Sequence, residues 1–159
     1  MDGPQFGEAP NGPVPDRPTA FAVIEREGRI AVVRCPRLQK GLVLDLPGGG
    51  LDPGESHRDA AVRECAEEAG LVVDLDAEPF AAGDQYFLHN DGEVRNSRSR
   101  FFAGRVAGED PAAKIEDDHE LLWIDPQEAV ARLDRGSHVH AVQVWLSLRG
   151  AAPAASRRP

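Results

Sequence analysis

The amino-acid sequence predicts an α+β protein, specifically an α/β/α sandwich with a mixed central sheet and C-terminal helices. Short apolar runs bounded by Gly, Pro, Asn and Asp are typical of strands, and they lie on both sides of one well-capped helical segment. Two further helical segments follow the last predicted strand. Strands that are interrupted by a central helix and closed by helices favour this layered architecture.

The 159 residues, 41% of them hydrophobic, suit one domain with a single sizeable core. We expect this domain at residues 18–150, after a disordered Pro- and Gly-rich lead at residues 1–17 and before a flexible tail at residues 151–159. Glu27-Gly28, between two apolar runs, predicts a β-hairpin. The predicted elements in chain order are strands at 20–25, 29–35 and 42–46, a glycine loop at 48–50, the central helix, strands at 72–75, 85–89, 99–106 and 120–124, a helix that begins at Asp125-Pro126, and a helix at 138–148.

The central helix carries the clearest chemical signal. Ser56 is a good N-cap and Gly70 a good C-terminal stop. Between them Glu64, Glu67 and Glu68 stand at i, i+3 and i+4, so their carboxylates project from one face. Like charges at these spacings destabilise a helix unless a positive charge lies among them.

A hard divalent cation would supply that positive charge, since Mg²⁺ binds carboxylate oxygens and keeps open positions for water and phosphate. The glycine loop before the helix lets the backbone pass close to such an ion, so a carbonyl there, at Gly49, would complete its coordination. The pattern therefore predicts a metal site suited to a polyphosphate.

The same stretch resembles the signature of the Nudix family, which reads G, five residues, E, seven residues, R-E, an aliphatic residue, any residue, E-E, any residue, G and an aliphatic residue. The matching positions are Gly49, Glu55, Arg63, Glu64, Glu67, Glu68, Gly70 and Leu71. Cys65 stands where the signature has an aliphatic residue, and a cysteine packs as a small buried hydrophobe.

The resemblance implies the Nudix fold with its catalytic loop-helix-loop. It also implies a divalent-metal-dependent pyrophosphohydrolase that acts on a nucleoside diphosphate linked to another moiety, with Mg²⁺, or alternatively Mn²⁺, as cofactor. Glu64, Glu67 and Glu68 would be the metal ligands. Arg63 would hold the catalytic loop by pairing with acidic residues of the motif, and Glu55 would be its partner or an outer metal ligand.

Family members often recruit one more acidic residue from a distant loop. We favour Glu116 as this catalytic base, because it precedes the strand at 120–124 where a loop can fold over the metal site. Glu120 is the second candidate, and we expect His119 at the surface. The alternative is that the acidic residues at 116–120 form only a solvated loop.

The substrate is less well determined by the sequence. Arg34, followed by Arg37 and Lys40, is a candidate for binding phosphates, and so is Arg100 on a later strand. Tyr86 lies where some dinucleoside-polyphosphate hydrolases of the family carry a tyrosine. Nucleoside triphosphates, dinucleoside polyphosphates and nucleotide sugars remain open as substrates. So does a different class of function, a non-catalytic nucleotide-binding or sensor module of the same fold.

The composition excludes some partners. The net charge of −9 and the pI near 5.0 argue against binding to nucleic acid duplexes or anionic membranes. Neither Cys35 nor Cys65 has disulfide-framework spacing, and the N-terminus lacks a signal peptide, so we expect a cytoplasmic protein. A homodimer is left open.

Overall fold

The computed structural model describes residues 1–150, so the expected tail at 151–159 lies outside the described residues. The elements, in chain order, are β1 (Gln5–Phe6), β2 (Asp16–Arg26), β3 (Arg29–Arg37), β4 (Gly41–Asp45), β5 (Gly48–Gly50), α1 (His57–Ala69), β6 (Leu71–Leu75), β7 (Ala81–Leu88), β8 (Val94–Glu109), a short 3₁₀ helix (Pro111–Ala113), β9 (Glu120–Ile124), α2 (Pro126–Arg132) and α3 (Gly136–Gly150).

The strands form one mixed sheet in the order β1-β7-β8-β2-β3-β4, with β5 paired to β2, β6 to β8 and β9 to β3. The long β2 and β8 run parallel, whereas β2 and β3 form the predicted antiparallel hairpin. The glycine loop expected at 48–50 is instead the short strand β5, because its backbone pairs with β2.

Helices cover both faces of the sheet, which confirms the predicted α/β/α sandwich. Along β2, Phe21 and Val23 belong to a core with α2 and α3, whereas Ala20, Ala22 and Ile24 belong to a second core with α1. Burial on both faces explains why β2 reads as a continuous apolar run without polar alternation.

The local signals for helix ends were correct. The Ser56 hydroxyl accepts a hydrogen bond from the Asp59 N–H at the start of α1, and Gly70 ends that helix in the left-handed conformation with φ of 68°. Asp125 caps α2 by accepting from the Gln127 N–H. Cys65 is fully buried in the core beneath α1, as its role as a small hydrophobe requires.

The N-terminal lead, expected to be disordered, is ordered in the structure. β1 pairs in parallel with the edge strand β7, and the Asp84 N–H donates to the Pro4 carbonyl at 2.8 Å. Phe6 packs against His140 of α3 with a ring separation of 5.6 Å. An edge strand offers unpaired backbone groups, and these order a segment whose composition alone indicates disorder. Among residues 1–150, no helix has both the length and the apolar character needed to cross a bilayer.

Candidate active site

The loop between β4 and α1 brings glycine backbone against the helix glutamates. A Cβ added to Gly49 would lie 2.7 Å from the Glu64 Oε1, and one added to Gly48 would lie 2.2 Å from the Ala20 carbonyl oxygen. The Gly48 backbone, at φ of 153°, also adopts a conformation that L side chains rarely take. Glycines are therefore required here because the loop, β2 and Glu64 approach one another closely.

Arg63 ties this loop to the helix. Its Nε and Nη2 donate to the two Glu55 carboxylate oxygens at 2.9 Å each, and Nη2 also donates to the Gly50 carbonyl at 2.9 Å. Its Nη1 donates to Glu64 and to Glu67 at 3.1 Å each. A planar guanidinium has enough donors for this arrangement, which a lysine lacks. Arg63 therefore lies among the motif carboxylates and fixes their positions.

Glu64 and Glu68 line one cavity of about 190 Å³, together with Gly49 and Glu116. Glu68 is only 8% exposed, and its carboxylate accepts from the Gly48 N–H at 2.8 Å. Burial raises the pKa of Glu68, although its hydrogen bond with His119 opposes the rise. Burial, together with the charge of Glu68, also raises the pKa of Glu64 to about 7. Two crowded, desolvated carboxylates thus face the same space.

Glu67 is placed differently from the other two glutamates. Its carboxylate points to Arg63, whereas its backbone carbonyl accepts from the Ile115 and Glu116 N–H groups at 3.0 and 3.1 Å. Glu67 does not line the 190 Å³ cavity. It instead anchors the distant loop that carries Glu116 to the end of α1.

That loop reaches the site as the sequence suggested for Glu116. Glu116 lines the cavity, and Glu116, Asp118 and His119 place one ligand atom each within 4.8 Å of one another. The expectation that His119 lies at the surface was wrong, because its Nε2 lies 3.0 Å from the Glu68 Oε2 and its side chain is only 17% exposed. Burial of the Glu68 carboxylate favours a hydrogen-bonding partner, and His119 provides it.

The residues present fit a hard divalent cation. Glu64, Glu68 and Glu116 offer carboxylate oxygens to one cavity beside the Gly49 backbone, and oxygen donors of this kind suit Mg²⁺ or Mn²⁺. A cation between Glu64 and Glu68 would also offset their mutual repulsion.

The proposed substrate-binding residues are not brought together. Arg34 donates to both Glu120 carboxylate oxygens at 2.9 Å each, and neither residue lines the cavity of Glu64 and Glu68. Arg100 donates to the Met1 carbonyl and also lies outside that cavity. Tyr86 lines a neighbouring cavity of about 650 Å³.

Three of four further residues that line the cavity carried no sequence signal, and the fourth is Arg37. Arg17, Arg37, Asp45 and Arg135 line the cavity with the motif glutamates. They come from β2, the end of β3, the end of β4 and the segment between α2 and α3. The sequence indicated Arg37 as part of a basic group with Arg34 and Lys40, whereas Arg17, Asp45 and Arg135 are single residues at distant positions and form no motif.

The structure is a mixed α/β/α sandwich in which a short glycine strand precedes a helix that carries three glutamates and the arginine that hydrogen-bonds to two of them. This combination is typical of the Nudix hydrolases. A model of the NUDIX domain matches residues 15–145. The chain belongs to the Nudix family, as the signature predicted.

Individual relatives agree with this assignment. The chain is similar to CTP pyrophosphohydrolase from Escherichia coli (strain K12), with 29% identity over 135 residues that cover 84% of this chain and 93% of that protein. It is also similar to an RNA pyrophosphohydrolase from Cereibacter sphaeroides (strain ATCC 17029 / ATH 2.4.9), with 30% identity over 138 residues that cover 77% and 83% of the two chains. A solved NUDIX hydrolase from Nitrosomonas europaea shares the fold with a TM-score of 0.72 at 21% identity, covering 91% of this chain and 97% of that one.

Proposed function

We propose that this protein is a metal-dependent pyrophosphohydrolase that cleaves a phosphoanhydride in a nucleoside diphosphate linked to another moiety. The observation that carries the proposal is the convergence of Glu64, Glu68 and Glu116 on one cavity beside the Gly49 backbone. A non-catalytic module has no need of an additional carboxylate recruited from a loop some fifty residues away.

Hydrolysis of a phosphoanhydride requires neutralisation of the phosphoryl oxygens and an in-line water. A divalent cation, when bound, neutralises phosphate charge and lowers the pKa of a coordinated water. We assign its ligands to Glu64, Glu67, Glu68 and the Gly49 carbonyl, with Mg²⁺ favoured and Mn²⁺ as the alternative. Glu67 would have to turn from Arg63 toward the cavity to take part.

Two further residues have supporting roles in the proposal. Arg63 is a positioning residue, since its hydrogen bonds go to the loop and to motif carboxylates. Glu116 accepts a proton from the attacking water. Its rival Glu120 is held by Arg34 and does not line the cavity, which favours Glu116.

The substrate class is a small nucleotide: a nucleoside triphosphate, a dinucleoside polyphosphate or a nucleotide sugar. The curated relatives, named as CTP and RNA pyrophosphohydrolases, support a nucleotide with at least two linked phosphates. We also propose a cytoplasmic location, since Cys35 and Cys65 are both free and buried. A homodimer stays a prediction that size-exclusion chromatography with light scattering can test.

The test is a phosphate-release screen over these nucleotide classes, with Mg²⁺ and with Mn²⁺, on the wild-type protein and Glu68→Gln. We expect metal-dependent turnover of at least one class that Glu68→Gln loses, while Glu120→Gln serves as a matched control with wild-type turnover. Nucleotide binding without turnover under all conditions would establish the sensor module instead. Turnover that persists in excess chelator would overturn the metal assignment.

A further inference from the structure

Arg37, Asp45 and Arg135 form a buried charged cluster beside the proposed metal site. The Asp45 Oδ2 accepts from the Nη2 of Arg37 and, at 3.2 Å, from the Nη2 of Arg135. Their side chains are only 12%, 5% and 10% exposed, respectively. Two arginines share one carboxylate, so the cluster carries a net positive charge.

Among the described residues, Asp45 is the only carboxylate that hydrogen-bonds to either arginine, although Glu64, Glu68 and Glu116 line the same cavity. Burial lowers the pKa of His138 to about 3, and its Nδ1 accepts from the Leu46 N–H at 3.1 Å, so this ring is neutral. Arg17 lines the same cavity, and burial together with Arg135 lowers its pKa. Arg17, Arg37 and Arg135 thus supply positive charge to the cavity that the motif glutamates line, and an anion beside these arginines would be stabilised.

The cluster also leaves hydrogen-bonding capacity unused. The Nη1 groups of Arg37 and Arg135 donate to no residue within the described chain, and the Nε of each is buried without a partner there. The other buried, unpartnered side-chain atoms of residues 1–150 lie on Asp45, which belongs to the cluster, and on His89, Ser137 and His138. The unused Nη1 groups are the ones that a ligand in the cavity can reach, because the Nε atoms are fully buried.

The cluster lies at the boundary between two cavities. Arg37, Phe87 and Arg135 line both the 190 Å³ cavity of the motif glutamates and the neighbouring cavity of about 650 Å³. The guanidinium carbons of Arg37 and Arg135 lie 4.7 and 3.8 Å from the centre of the Phe87 ring, which holds them in place. The larger cavity falls within the usual 300–1,000 Å³ range of small-molecule sites, and the smaller one does not.

We propose that Arg37 and Arg135, held side by side by Asp45, bind the phosphate attached to the nucleoside of the substrate, and that the larger cavity binds the nucleoside. This inference rests on the proposed function, since it extends the substrate from the metal site across the boundary. The two arginines suit a phosphate because each is permanently charged and keeps an Nη1 group that is not bonded to Asp45, so one phosphate can accept from both. The N-terminal residues 7–11, together with residues 37–40 and 85–88, form the walls of the nucleoside cavity.

The arginine site contains no proposed metal ligand, so it should bind a nucleoside monophosphate without metal. The test is isothermal titration of the full-length protein in excess chelator with a nucleoside monophosphate, with inorganic phosphate and with the nucleoside alone. We expect the monophosphate to bind most tightly. Equal affinity for inorganic phosphate and the monophosphate would overturn the assignment of the nucleoside to the larger cavity. Absence of monophosphate binding would overturn the whole proposal.

Variants test each half of the site. Arg37→Lys and Arg135→Lys keep the charge but lose the planar group that can bind Asp45 and a phosphate at once, so we expect each to weaken monophosphate binding by about tenfold or more. Arg105→Lys is the matched control, because its side chain is 79% exposed and lies outside both cavities. Unchanged affinity in both arginine variants would overturn the proposal.

Leu38→Glu tests the larger cavity, because Leu38 lines that cavity and does not line the smaller one. Leu38 is 40% exposed, so this variant should fold even if a buried arginine variant does not. We expect weaker monophosphate binding, and wild-type affinity would place the nucleoside elsewhere. Because these titrations need neither metal nor turnover, a protein that binds the monophosphate but hydrolyses nothing would contradict only the proposed function.

Discussion

Replacing Arg63 with Ala should destabilise the protein and slow its turnover together. Arg63 makes five hydrogen bonds, to the Glu55, Glu64 and Glu67 carboxylates and to the Gly50 carbonyl. Its removal leaves three carboxylates in mutual repulsion. Loss of one partner from a fully buried charge pair costs about 3–5 kcal/mol. Since the Arg63 side chain is 24% exposed, solvent reduces this cost, and we expect about 2–3 kcal/mol.

In a domain of this size the expected loss corresponds to a fall in melting temperature of about 4–12 °C. Urea denaturation followed by circular dichroism measures the free energy of unfolding, and phosphate release measures turnover. Arg63→Lys should fall between Ala and wild type, because lysine keeps the charge but cannot bind both Glu55 oxygens and the Gly50 carbonyl at once.

Arg105→Ala is the control for Arg63→Ala. Arg105 forms one ion pair, with Asp74 at 3.5 Å, and its side chain is 79% exposed, so its loss should change the free energy of unfolding by less than about 0.5 kcal/mol. If Arg63→Ala unfolds at the same urea concentration as this control, Arg63 does not support the loop. Reduced turnover with unchanged stability would then indicate that it contacts the substrate.

Three further predictions concern single carboxylates. Glu68→Gln should lower turnover by about a hundredfold or more while the melting temperature stays close to wild type, because it removes a preorganised charge but keeps the side-chain shape. Near-normal turnover at saturating Mg²⁺ would exclude Glu68 as a ligand. Glu116→Gln should lower kcat strongly and change the metal affinity, measured by titration, very little. Glu120→Gln should leave kcat unchanged, and the reverse result would assign the catalytic base to Glu120. Burial would raise the pKa of Asp45, but the charges of Arg135, of His138 once it is protonated near pH 3, and of Arg37 lower it from 3.8 to about 2. Asp45 therefore stabilises the fold fully above about pH 4, by about 2 kcal/mol, and this contribution is lost as the pH falls toward 2. Unfolding measured from pH 5 to pH 2.5 should show a smaller loss for Asp45→Asn than for wild type, and parallel curves would contradict the pKa shift.

The features that could be predicted from sequence are those that depend on neighbouring residues. Ser56, Gly70 and Asp125 mark helix ends because a cap is satisfied by backbone groups within a few positions. The β2–β3 hairpin could be predicted for the same reason, since its turn depends on the adjacent residues Glu27 and Gly28, which both adopt positive φ. The spacing of Glu64, Glu67 and Glu68 likewise lies within one helix.

The features that could not be predicted depend on contacts between distant segments. His119 is at the site because Glu68 of α1 accepts its hydrogen bond, and no local pattern indicates that partner. The N-terminal lead is ordered because β7 presents an edge to it. The charge of Arg34 made it a candidate for binding phosphate. Pairing of β3 with β9, however, places Glu120 directly opposite Arg34, and the two side chains hydrogen-bond to each other.

This difference separates the two tasks of the site. The groups proposed to bind metal lie almost entirely on the loop and helix of the signature, and Arg63 holds them through contacts within that one stretch. Arg37, Asp45 and Arg135 lie on three other segments and share no hydrogen-bond partner with Arg63 among the described residues. The two groups nevertheless line the same 190 Å³ cavity, and burial and the charge of Asp45 both raise the pKa of Glu68, so we expect substitutions in one group to couple to the other. The fold thus keeps the proposed metal ligands in one short motif, while the residues proposed to bind the rest of the substrate come from other segments of the chain.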